Sequence, residues 1–224
     1  MVEKSKKWSR NKYIFIEALL VASVIFLTGI FLGSFYEKAR VDSVREFYVD
    51  SETGLSDFEL SSQIIYDFNL NCSFAIEKSI YFADQIYKES RQLEKYDSAN
   101  KFTNDVISLH RRYDLLRTLL WKNMIQNKEK CSTSANTIVY LYDYIDTSLT
   151  TQSMQTSISN ILLDVKGEYG EKVILIPIAT DTNVEALSIL REYYDLDKVP
   201  IVIVNEKYQF DNIEDLKNIR DYLI

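Results

Sequence analysis

Hydrophobic positions along this chain fall into three regimes: one long apolar run, then stripes at helical spacing, then short β-branched runs set between amphipathic segments. Residues 13–36, YIFIEALLVASVIFLTGIFLGSFY, carry no charge from Ala18 to Tyr36 and are bounded there by Glu17 and Glu37. About 20 apolar residues at helical rise cross the hydrocarbon core of a bilayer, so the run is predicted to be a membrane-spanning helix. A cleaved signal peptide is the rival reading. Its apolar region is normally roughly 7 to 15 residues long and ends in a small-x-small site, which is not found here.

Residues 41–130 hold no proline and one glycine, Gly54, and their apolar residues recur at three and four. Val106, Leu109, Tyr113, Leu116 and Leu120, with Met124 after them, form the packing stripe of one amphipathic helix. Ile76, Ile80, Ala83, Tyr87 and Leu93 form a looser one, and the polar run Glu94 to Asn100 is the expected turn between them. The region 37–136 thus reads as an antiparallel helical hairpin, with a short separate helix from about Ser56 to Phe68 in front of it.

From residue 137 the period changes. TIVYLYDY, KVILIPIAT, IVIVN and KYQF read as strands. SISNILLDVKGEYG, NVEALSILREYYDL and NIEDLKNIRDYL read as helices, the second opened by Asp181 or Thr182 as a cap. Residues 137–224 are therefore predicted to be an α/β domain of order β-α-β-α-β-β-α, with a hairpin turn at Asn205-Glu206. Pro177 lies within the second strand, which places that strand at a sheet edge.

Charge assigns the sides. The net charge is +4 over residues 1–12, −3 over 13–136 and −8 over 137–224. Lys4, Lys6, Lys7, Arg10 and Lys12 precede the apolar run, whereas Lys38, Arg40 and Arg45 after it are interleaved with acids. The positive-inside bias then puts residues 1–12 in the cytoplasm and everything after residue 37 outside, as a single-pass membrane protein. Trp8, Tyr13, Phe35 and Tyr36 suit the two interfaces. The acidic C-terminal region argues against nucleic acid as a partner, because it would repel a phosphate backbone.

Candidate chemistry is sparse. Cys72 and Cys131 are the only cysteines and flank the helical hairpin. Arms running from 72 to about 93 and from about 100 to 131 differ by roughly eight residues, or about 12 Å at helical rise, which a longer turn or a tail before Cys131 must absorb. An outward-facing region favours a structural disulfide between them, worth about 2 to 4 kcal/mol. Two separate buried thiols, or a redox-active pair, are the alternatives. His110, the single histidine, lies one position off an apolar stripe and reads as a half-exposed packing residue, so neither a metal site nor a cofactor is expected.

Glu17 is a carboxylate inside the apolar run, one turn from the basic flank. The stretch YIFIEALLVA around it resembles the start of a type IV pilin, with an aromatic residue four positions before a glutamate. That resemblance implies processing ahead of Tyr13. Lys12 stands where pilins place a small residue, and the region after the span does not resemble a pilin head.

DKVPIVIVNEKYQF, residues 197–210, together with the element order, resembles the back half of a thioredoxin fold over about residues 137–224. The resemblance makes Pro200 the cis-proline position and Val199 the residue whose backbone pairs with an extended peptide. It also aligns Thr147-Ser148-Leu149-Thr150, within DYIDTSLTTQSM, with the family's Cys-x-x-Cys. Hydroxyls form no disulfide, so dithiol chemistry is excluded at that position. Asp143 and Asp146 beside Ser148 read as helix caps rather than as partners of a nucleophile.

The functional expectation is a membrane-anchored, redox-inactive, protein-binding or scaffolding module outside the membrane and not an enzyme. A thiol-disulfide oxidoreductase using Cys72 and Cys131, a pilin-like processed protein, and a protein that self-associates through its helical hairpin are the alternatives.

Overall fold

The protein is described by a computed structural model covering residues 3–68, 71–100, 104–131, 135–145 and 148–223. Thr147 and Asp146 lie outside the described residues. The chain divides into two compact units, Met1–Gly54 and Leu55–Ile224.

Helix α1 spans Glu3–Asp67 and contains Tyr13–Tyr36, the one stretch among the described residues long and apolar enough to cross a membrane. The break expected before Ser56 is absent, because neither proline nor a capping glycine interrupts the segment and the lone Gly54 is carried inside the helix.

In the second unit, α2 (Cys72–Asn100) and α3 (Asn104–Lys130) form the hairpin. The run Glu94 to Asn100 is helical rather than the turn expected of it, since Glu94, Lys95 and Ala99 favour helix and neither glycine nor proline stops one. That extension equalises the arms at 29 and 27 residues and removes the expected mismatch. Cys72 and Cys131 consequently meet at the open end as a disulfide, with their Cα atoms 5.7 Å apart. Polar side chains add cross-links between helices: Asn127 Nδ2 donates to Ser79 Oγ at 3.1 Å and Asn123 Nδ2 donates to Ser62 Oγ at 2.7 Å. Phe58 of α1 stacks on Phe82 of α2.

The sheet comprises β1 (Asn136–Tyr142), β2 (Val173–Ala179), β3 (Ile201–Val204) and β4 (Tyr208–Phe210), ordered β2-β1-β3-β4. β1 and β2 are parallel, and β3 runs antiparallel to both β1 and β4. β2 lies at an edge, as Pro177 requires, with Pro177 opposite Tyr140. The Val199–Pro200 peptide bond is cis.

Strand alternation gives the sheet two apolar faces. Ile138, Tyr140, Val173, Val202, Val204 and Phe210 pack with Ile158, Leu162 and Val165 of α4 (Leu149–Tyr169) and Leu216 of α6 (Ile213–Leu216). The opposite face, including Val139, Leu141, Ile176, Ile178 and Ile203, is fully buried, and α3 and α5 (Glu185–Tyr193) pack on that side. The segment predicted as one last helix is instead α6 followed by a 3-10 turn at Ile219–Tyr222.

The turn between β3 and β4 has positive φ at both Asn205 (55°) and Glu206 (56°), closed by Lys207 N donating to Val204 O at 3.1 Å. This is the primed geometry that matches strand twist, although glutamate is a costly residue for it. The turn is held from α3. Lys128 Nζ donates to Asn205 Oδ1 at 2.8 Å and to Glu206 Oε2 at 2.7 Å. Asn205 in turn accepts from Thr137 N and donates to Asn136 Oδ1.

Candidate functional site

The parallel strands β1 and β2 both end at one edge of the domain, and the last β1–β3 pair there is Leu141 with Ile201. Chain continuity from that pair sets the end of β1 and residues 143–145 after it beside Val199 and buried Pro200, which precede β3. Ligands of open α/β sheets bind outside the carboxyl ends of parallel strands, so this edge is the place to examine.

The β1–α4 loop ends in the N-cap of α4. Ser148 is the capping residue, with its Oγ accepting from Thr151 N at 3.1 Å and lying 2.9 Å from Thr151 Oγ1. Leu149 follows, with 82% of its surface exposed, and Thr150 is exposed beside it. Asp143 does not cap the helix. Its Oδ1 accepts from Thr180 Oγ1 at 2.7 Å, and its main-chain carbonyl accepts from Gln155 Nε2 at 3.1 Å.

Asp181, expected to cap α5, serves the neighbouring loop instead. Its carboxylate accepts from Tyr144 N at 2.9 Å and also from Ile145 N, while Val184 opens α5 without a side-chain cap. Two main-chain amides that a strand partner would otherwise satisfy are thus taken by one carboxylate, which holds the loop after β1 against the loop after β2.

Behind both loops stands Asp114 of α3, fully buried. Its Oδ1 accepts from Ala179 N at 3.0 Å, its Oδ2 accepts from Thr182 Oγ1 at 2.8 Å, and Arg117 Nη1 lies 3.6 Å away. Burial pushes its carboxyl up to about 6, against the downward pull of Arg117, the Ala179 amide and the Thr182 hydroxyl, with the Asp181 charge adding to the rise. The Tyr142 phenol next to it is raised to about 12, by burial first and by the Asp114 charge second. His110 is buried rather than half exposed, because its ring stacks on Tyr144 with centroids 3.8 Å apart.

The candidate site therefore comprises exposed Ser148, Leu149 and Thr150, half-buried Val199 and buried Pro200, with Asp143, Asp181 and Asp114 behind them as structural acceptors. Cys72 and Cys131 belong to the helical hairpin, and Glu17 lies in the exposed Tyr13–Tyr36 stretch of the first unit. Among the described residues no cluster of three or more His, Cys, Asp or Glu is disposed to hold a metal ion.

Asp114 and Asp181 were not legible as loop anchors. Asp114 follows Tyr113 of the apolar stripe by one position, which hints at a polar contact on the packed flank but names no partner. No protein family, curated protein or solved structure matches the chain.

Proposed function

We propose that this chain is a single-pass membrane protein whose α/β portion is a thioredoxin-like domain stripped of its thiol pair, serving outside the membrane as a protein-binding module. The observation that carries this reading is the strand order β2-β1-β3-β4, with Pro200 heading β3 opposite the end of β1. At the family's dithiol position the chain offers Ser148, engaged as a helix cap, and the exposed apolar Leu149. An exposed leucine at the start of α4 suits a contact surface, since an apolar side chain gains from burial against a partner and the helix start is already capped by Ser148.

In such a module Val199 presents backbone groups to an extended peptide and Leu149 supplies an apolar anchor. The basic flank Lys4 to Lys12, set against the mixed-charge flank after Glu37, supports the outward orientation. A photoreactive residue at position 148 tests the reading in native membranes: a discrete adduct is expected, lost in Leu149→Asp. No adduct, or an adduct indifferent to that substitution, would speak against protein binding at this edge.

A further inference from the structure

We propose that Asn71 is an acceptor for an N-linked glycan; the inference rests on the extracytoplasmic placement argued above. Asn71-Cys72-Ser73 is the single Asn-x-Ser/Thr triplet among the 224 residues. With any middle residue but proline, this triplet is the acceptor pattern for N-glycosylation and belongs on a surface loop of an exported region.

The structure provides that setting. Asn71 precedes α2, lies outside any helix and is exposed, as are Cys72 and Ser73. Its Oδ1 accepts from Ser73 N at 3.1 Å and its main-chain carbonyl accepts from Ala75 N at 3.1 Å, so Asn71 is the N-cap of α2 through oxygens alone. Nδ2, the atom that would carry the sugar, takes no part in the cap. A modified Asn71 therefore keeps α2 capped, and the glycan is attached to an exposed side chain. The Cys72–Cys131 bridge beside it suits the same oxidising side of a membrane.

The transfer balances with a lipid-diphosphate-linked oligosaccharide as co-reactant. Asn71 Nδ2 attacks C1 of the first sugar, forming the N–C1 bond. The C1–O bond to phosphate breaks, the lipid diphosphate leaves with the electron pair, and one amide proton passes to a base of the transferase. No oxidation or reduction occurs.

The test is peptide mapping of the full-length chain purified from membranes of its native host. After reduction and alkylation, the tryptic peptide from Glu46 to Lys78 is expected to carry a glycan mass on Asn71. That mass is expected to vanish in Asn71→Gln and Ser73→Ala and to persist in Ser73→Thr. A uniformly unmodified peptide overturns the proposal. Labelling of exposed Lys217 on intact cells with a membrane-impermeant amine reagent separates the two ways of failing. An unmodified Asn71 with Lys217 labelled sinks the acceptor site alone, whereas an unlabelled Lys217 sinks the outward placement and the acceptor site with it.

Discussion

The ammonium of Lys128, at the end of α3, lies 2.7 Å from the carboxylate of Glu206, in a hairpin turn 78 residues further along the chain. Both side chains are largely buried, and burial pushes each toward neutrality: the Glu206 carboxyl is raised and the Lys128 ammonium lowered, each against the pull of its partner. The pair is thus a specific joint between the helical hairpin and the sheet rather than a surface decoration.

Breaking that joint from one side leaves an uncompensated buried charge. Glu206→Ala is expected to destabilise the protein by about 3 kcal/mol, and Lys128→Met by less. The double variant Lys128→Met with Glu206→Ala is expected to recover much of the loss, because it removes both charges. Thermal melts of the four proteins check this, and additive losses would show that the two residues are not coupled.

Asp114 gives a pH dependence with a definite sign. Its carboxyl in the folded protein is raised to about 6, above its ordinary 3.8, so the folded state holds the proton more tightly than the unfolded state. The stability from that preference is complete below about pH 4 and is lost as pH rises through about 6, a difference of about 3 kcal/mol. Asp114→Asn keeps an acceptor and removes the charge. It is expected to flatten this part of the stability profile between pH 4 and 7, as read from melting temperature against pH; an unchanged profile would count against the assignment.

The loop after β1 depends on Asp181. Asp181→Ala removes the acceptor of the Tyr144 and Ile145 amides, with an expected cost of about 1 to 3 kcal/mol. Hydrogen exchange at those two amides should accelerate well ahead of exchange in β1. Equal protection in the variant would show that another group orders the loop.

The Cys72–Cys131 bridge closes 59 residues, for which the chain-entropy account gives about 4 kcal/mol. Cys72→Ser with Cys131→Ser is expected to lower the melting temperature accordingly, and mild reductant should have no further effect on the variant.

Much of this architecture is legible from local signals. The apolar run at 13–36, the stripe from Val106 to Leu120, the four strands and the edge position implied by Pro177 all follow from spacing and residue type. Most of the failures share one cause, which is that side-chain partners come from remote chain. Asp181 and Asp143 look like caps because short acids near helix starts usually are; the structure gives them to amides and a hydroxyl on neighbouring loops. His110 looks half exposed on a lone helix, but Tyr144 covers it. The run Glu94 to Asn100 looks like a turn because it is polar, whereas it holds neither glycine nor proline to stop the helix.

Pro177 has one more effect. A sheet with an open, straight parallel edge is a template on which a second molecule's strand can be laid. Within edge strand β2 the proline nitrogen has no hydrogen to offer an incoming backbone. The other margin, β4, is three residues long. Copies of this protein are thereby discouraged from zipping together edge to edge through their sheets.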